Sequence, residues 1–138
     1  MEFVKSNGIK INLSEEDKKQ LSSLPKINKA IKFPEVIAFD IYDEQLIGFA
    51  MVRKFADNCY FLWDFAIDSE FQNMHYGYRS LSELIELLKQ NYSAKQITTT
   101  YIFGNERARA LYEKIGFIQT DIVDENDTHE VNMILKFE

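Results

Sequence analysis

The chain has 138 residues, 46% of them hydrophobic and 28% charged, with 5 Gly and 2 Pro. That is enough for one domain with one good core and too short for two, and the composition excludes a disordered chain. A net charge of −6 argues against a general nucleic-acid or anionic-membrane binder, because both need a basic surface.

Met1-Glu2-Phe3-Val4-Lys5 lacks the basic-then-apolar start of a signal peptide. No apolar run downstream approaches the ~20 residues that cross a bilayer, so the expected location is the cytoplasm. Phe3 to Leu13 reads as a short strand or hairpin turning at Asn7-Gly8. Ser14-Glu15-Glu16-Asp17 reads as a capped helix start, with Asp17 in the place of the usual Glu. Leu21 and Leu24 are expected on its apolar side and Pro25 is expected to stop it, while Lys26 to Phe33 carries no clear pattern. Val36 to Tyr42 and Leu46 to Val52 flank the short acidic turn Asp43-Glu44, predicting an antiparallel hairpin. Ala56-Asp57-Asn58 then turns the chain into a third strand, Tyr60 to Ile67, preceded by the lone Cys59, a buried inert thiol by its context. Apolar runs without clean alternation predict a sheet covered on both faces.

The turn Asp68 to Tyr76 leads to a helix opening near Gly77, with Leu81, Leu84, Ile85, Leu88 and Tyr92 on one face. Gln96 to Phe103 is β-branched and aromatic, hence a strand, and its return from a helical crossover predicts that it lies parallel to the strand at Tyr60. Asn105 caps a second helix whose core face is Ala108, Leu111, Tyr112 and Ile115, and Gly116 ends it. Phe117 to Val123 and Val131 to Phe137 read as closing strands around an acidic loop. The two histidines, His75 and His129, show no metal-ligand spacing, so no metal is expected.

A strand feeding a helix start is an anion site in itself, because the first helical amides lack partners and the helix dipole favours negative charge there. Three local patterns then carry a resemblance. Gln72-Asn73-Met74-His75-Tyr76-Gly77 lies between strand and amphipathic helix, and the segment Asn105 to Phe117 has the form N-x-x-A-x-x-L-Y-x-x-x-G-F. From Val36 onward the chain resembles the GNAT superfamily of N-acetyltransferases. Leu62-Trp63-Asp64-Phe65-Ala66-Ile67-Asp68 resembles the central strand of its polyamine and thialysine branch. The second segment matches at every named position; in the first, His75 stands where a glycine is expected.

The resemblance implies a mixed α/β domain, a central sheet of roughly six or seven strands with helices on both faces. It implies acetyl-CoA as cosubstrate, its pyrophosphate on the amides from Gln72 to Tyr78 and its pantetheine on the backbone of Phe65, Ala66 and Ile67 and on Asn105. His tolerates φ > 0 better than most side chains, so the loop is expected to survive the lost glycine. Periodicity makes Tyr112 a core residue of its helix; the resemblance makes it the acid that protonates the leaving thiolate, as a phenol can at neutral pH. Asn105 reads as a helix cap, and a pantetheine contact is compatible with that.

Asp64 is an acid inside an otherwise apolar strand, where a dry, unpaired carboxylate would cost several kcal/mol. It is therefore hydrated, at a cleft, or paired with a lysine or arginine of the fold. The resemblance implies that it meets the acceptor amine, which arrives protonated with a pKa of ~10 and must lose a proton before attack. The expected acceptor is a small cationic, polyamine-like amine, with a protein amino group second. The competing expectation is a non-catalytic acyl-CoA-binding or interaction domain, suggested by His75 and by the weakly patterned N-terminal third. A homodimer is an assembly the family allows, although no residue in this chain argues for one.

Overall fold

The computed structural model describes residues 1–137, which form one mixed sheet with helices on both faces. In chain order the elements are β1 (Glu2–Lys5), α1 (Glu15–Gln20), α2 (Leu24–Ala30), β2 (Val36–Asp43), β3 (Gln45–Ala56) and β4 (Cys59–Ile67). A 3₁₀ turn (Ser69–Phe71) precedes α3 (Tyr76–Tyr92), β5 (Gln96–Ile102), α4 (Glu106–Ile115), β6 (Ile118–Glu125) and β7 (Thr128–Lys136). The seven strands run in the order β1-β2-β3-β4-β5-β7-β6. All neighbours are antiparallel except β4 and β5, which are parallel as the helical crossover through α3 requires.

Two apolar clusters sandwich the sheet. Leu81, Leu84, Ile85 and Leu88 of α3 and Tyr112 of α4 pack on one face against Phe39, Ala50, Val52, Leu62 and Ile97. Ile27 and Ala30 of α2 pack on the other against Ala38, Phe49 and Met51. Both faces of β2 to β4 are thus buried, which is why those strands lack alternation in the sequence. No helix among the described residues is long and apolar enough to cross a membrane.

The N-terminal third departs from expectation. Pro25 does not stop α1; it lies in the first turn of α2, where a missing N–H costs nothing, behind the Ser23 cap. What ends α1 is extended backbone at Leu21, and Leu24 is 53% exposed rather than on an apolar helix face. Ser14 and Asp17 do form the reciprocal capping box. Asn7-Gly8 turns no hairpin, because β1 finds its partner in β2, Lys5 opposite Phe39. At the other end, Phe103 and Phe117 fall outside the strands, and Asp124 and Glu125 belong to β6 rather than to a loop.

The central pair is where the sheet opens. β4 and β5 are paired only from Cys59 with Gln96 to Leu62 with Thr99. Thr99 Oγ1 donates to the Leu62 carbonyl (3.1 Å) at the last rung. On its other side β4 carries a bulge. Met51 faces Asp64 and Val52 faces Leu62, so Trp63 is an extra residue. A bulge bends and twists its strand, and the pairing of β4 with β5 stops just before it. From Trp63 to Ile67 one edge of β4 is left without a strand partner.

Candidate active site

Two clefts meet in that opening. The first, about 700 Å³, lies between the unpaired stretch of β4, the loop before α3 and the start of α4. Phe65, Ala66, Ile67, Gln72, Asn73, His75, Gly77, Asn105 and Tyr112 line it, as do Asp17 and Gln20 of α1. The second, about 460 Å³, runs from α2 across β4 to β5 and β7, and is lined by Lys26, Trp63, Asp64, Thr100, Tyr112 and Glu130 among others. Gln20, Leu21, Phe65, Asn105, Ala108 and Tyr112 border both. Among the described residues no group of His, Cys, Asp and Glu is arranged to hold a metal ion.

The loop before α3 has the geometry of an anion cradle. Asn73 and His75 both take left-handed backbone, φ 64° and 66°. This explains why glycine suits the position of His75, and His75 adopts it nonetheless. Its side chain does not cap α3. No oxygen of the described residues accepts from the amides of Asn73 to Tyr78, so a row of free N–H groups stands at the positive end of a 17-residue helix. The side chains of the loop divide. Gln72, Asn73 and His75 face the cleft. Met74 is 59% exposed, Tyr76 packs edge-on to Phe71, and Tyr78 lies under the Lys114 ammonium. Those three can contribute only their backbone to a ligand in the cleft.

Several polar bridges cross the first cleft. Gln72 Nε2 donates to Asp17 (2.9 Å) and to the Ile67 carbonyl (2.9 Å), while its Oε1 accepts from Arg107 (2.9 Å). Asn105 caps α4 by accepting from the Ala108 amide (3.1 Å), and its Nδ2 donates to Gln20 (2.9 Å). Asp17, Gln20, Arg107 and Lys26 are site residues that sequence patterns did not single out. Arg107 alone had a signal, its place inside the N-x-x-A segment; the others reach the clefts from α1 and α2, which the motifs do not touch.

The three buried carboxylates of the sheet region have different surroundings. Asp40 pairs with Lys10 through Oδ2 (2.8 Å), while its Oδ1 has no partner. Asp68 accepts from the Asn12 amide (2.9 Å), the Asn12 side chain (3.2 Å) and the Glu70 amide (2.9 Å). Asp64, 4% exposed, accepts a single bond from the Ser22 amide (2.9 Å) and has no ion pair; its Oδ2 has no partner at all. Loss of solvent pushes its carboxyl above the usual range, opposed by the Ser22 amide, by the Ser22 side chain and by the Lys26 charge. Tyr112, 8% exposed, packs between Tyr101 and Phe117. Burial raises its phenol, with Thr99 opposing and the Asp64 charge adding to the rise. Asp64 and Tyr112 thus share the lining of the second cleft, each with its proton held more tightly than an ordinary carboxyl or phenol holds it.

A mixed sheet split at its central parallel pair, with an amide cradle on one side of the split, is the architecture of the GNAT fold. The Acetyltransferase (GNAT) family model matches residues 10–117, and the chain belongs to that family. The uncharacterized N-acetyltransferase ycf52 of Pyropia yezoensis is 30% identical over 102 residues, 70% of this chain and 55% of its own, so the chain spans about half the length of that relative. Among solved structures, a variant of the spermidine N-acetyltransferase SpeG of Vibrio cholerae superposes with a TM-score of 0.70 at 17% identity, over 81% of this chain and 72% of that one. The aminoglycoside acetyltransferase AAC(6')-Ib, solved with coenzyme A, superposes with a TM-score of 0.73 at 18% identity, over 89% and 83%. At such identities these two likenesses establish the fold.

Proposed function

We propose that this chain transfers the acetyl group of acetyl-CoA to a primary amine on a small cationic, polyamine-like molecule, by direct attack in a ternary complex. The observation that carries the proposal is Asp64, buried without a cation partner and with one oxygen free, beside Tyr112 where the two clefts join. The first cleft suits the cosubstrate: the free amides of Asn73 to Tyr78 would hold its pyrophosphate, and the unpaired edge at Phe65, Ala66 and Ile67, with Asn105, would hold the pantetheine arm. When bound, acetyl-CoA supplies an activated thioester.

The residues of the chain then handle protons. Asp64 takes one from the ammonium, directly or through water, and frees the nitrogen lone pair that forms the amide bond; the second proton that nitrogen loses as the tetrahedral adduct collapses passes to water, and Asp64 returns its own to solvent before the next turnover. As the carbon–sulfur bond breaks, Tyr112 gives its hydroxyl proton to the departing sulfur and is reprotonated from solvent. Each positioned proton transfer is typically worth about 10²- to 10⁴-fold in rate. The second cleft has the scale of a small molecule, and the spermidine and aminoglycoside enzymes that share the fold are named for amine-bearing substrates.

A binding domain without chemistry is the competing reading, favoured by the bridges from Asp17 and Gln20 across the first cleft. Thermal shift with acetyl-CoA and a free-thiol assay over a panel of amines separate the two. Stabilisation together with amine-dependent thiol release is the expected result. Stabilisation without release from any amine would leave a binding domain, and neither effect would remove the cofactor site as well.

A further inference from the structure

Lys26 and Glu130 both line the second cleft, and neither joins an ion pair among the described residues. They stand on opposite banks. The Lys26 ammonium sits over Trp63, 5.7 Å from the ring centroid, on the α2 side. Glu130 is on β7, opposite Ile102 of β5. Its neighbour Val131 points into the core under α4, so Glu130 projects from the other face of the sheet. The helix cover on that face ends at β4: the cluster under α2 takes residues from β2, β3 and β4 and none from β5 or β7. Thr100, Ile102 and Glu130 therefore form an open floor beside Asp64.

We propose that Glu130 is a specificity-determining residue that holds a second ammonium of the acceptor, so that the substrates are chains bearing two cations rather than simple monoamines. This rests on the amine-acetylation reading above. Asp64 and Glu130 are two strand spacings apart across β5, ~10 Å before the split is counted. A diamine of roughly five carbons, with a hydrogen bond at each end, bridges that gap. The reacting nitrogen lies at Asp64 and the distal one at Glu130. The Lys26 charge makes the opposite bank unfavourable for the distal cation and so sets the direction in which the chain lies. A monoamine would reach Asp64 equally well and leave Glu130 to water.

The test compares 1,5-diaminopentane with pentylamine, which have equal chain lengths, in the thiol-release assay. Wild type is expected to favour the diamine about fivefold in kcat/KM, through KM rather than kcat. Glu130→Gln is expected to lower kcat/KM for the diamine about fivefold more than for pentylamine, so that the preference disappears, and Glu130→Lys to reverse it. With coenzyme A present and no turnover, the diamine is expected to raise the Tm of wild type more than that of Glu130→Gln. Equal use of both amines by wild type, or an equal loss for both in Glu130→Gln, overturns the role of Glu130 while acetylation stands. No thiol release from either amine, with no diamine-dependent shift, overturns both.

Discussion

Replacing Asp64 by Asn separates the chemistry of this site from its stability, because the two should move in opposite directions. The carboxylate is 4% exposed, one oxygen is bonded only to the Ser22 amide, and the other is bare. The amide of Asn is neutral and retains an oxygen for Ser22. The substitution therefore removes a desolvated charge, a relief of about 1–3 kcal/mol, partly offset by an unsatisfied NH₂ group. A net gain of about 1 kcal/mol, or roughly 3 °C in Tm for a domain this size, is expected at neutral pH. The sign of the pH dependence follows from the raised carboxyl of Asp64. The folded state holds that proton more tightly than the unfolded chain does. Its contribution to stability is complete below the unfolded value near ~4 and is lost as pH rises through the raised folded value. The Tm advantage of Asp64→Asn should thus be largest at neutral pH and shrink as the solution is acidified through that window. In the thiol-release assay kcat/KM should fall about 10²- to 10⁴-fold, and the acid limb of the wild-type profile, lying above ordinary carboxylates, should disappear. An Asn variant that melts below wild type at pH ~7 and keeps near-normal turnover would show that Asp64 serves the fold.

Tyr112→Phe should cost about 10²- to 10⁴-fold in kcat with little change in Tm, measured in the same assay; because burial raises the phenol, the wild-type rate should persist above the pH at which an ordinary tyrosine ionises. His75→Gly should tighten acetyl-CoA binding, read by titration calorimetry, because glycine takes the left-handed backbone at φ 66° without strain and opens the approach to the loop amides. Gly48→Ala should destabilise by about 1–3 kcal/mol in urea melts, since the added methyl would meet the Ala66 carbonyl at 3.0 Å and Ile67 at 3.2 Å. The same push on β4 should weaken binding of acetyl-CoA; a Gly48→Ala protein with normal melting and normal affinity would contradict the packing described between β3 and β4.

Much of the architecture is local and could be read from residues a few places apart. The stripe from Leu81 to Leu88 requires a helix with one buried face, and the Asn105 cap and Gly116 stop fix the ends of α4 through bonds reaching only three or four residues. The Ser14–Asp17 box does the same for α1. Pro25 was ambiguous for the same reason: a proline ends one helix or begins the next, and the choice between them fell to the packing of Ile27 and Ala30 against β2 and β3.

From Val36 onward the sequence by itself determined the kinds of elements, their order, the parallel pairing of β4 with β5, and the loop and helix cap that mark the family. The tertiary structure alone decided that β4 bulges at Trp63 and leaves β5 after Leu62, because register is an agreement between strands and no single strand encodes it. It decided too that Lys10 neutralises Asp40 while Asp64 is left without a cation, although both acids sit within apolar strands. Whether a buried charge is paired depends on side chains brought from tens of residues away, and in this chain that difference separates Asp40, which Lys10 neutralises, from Asp64, on which the proposed proton transfer rests.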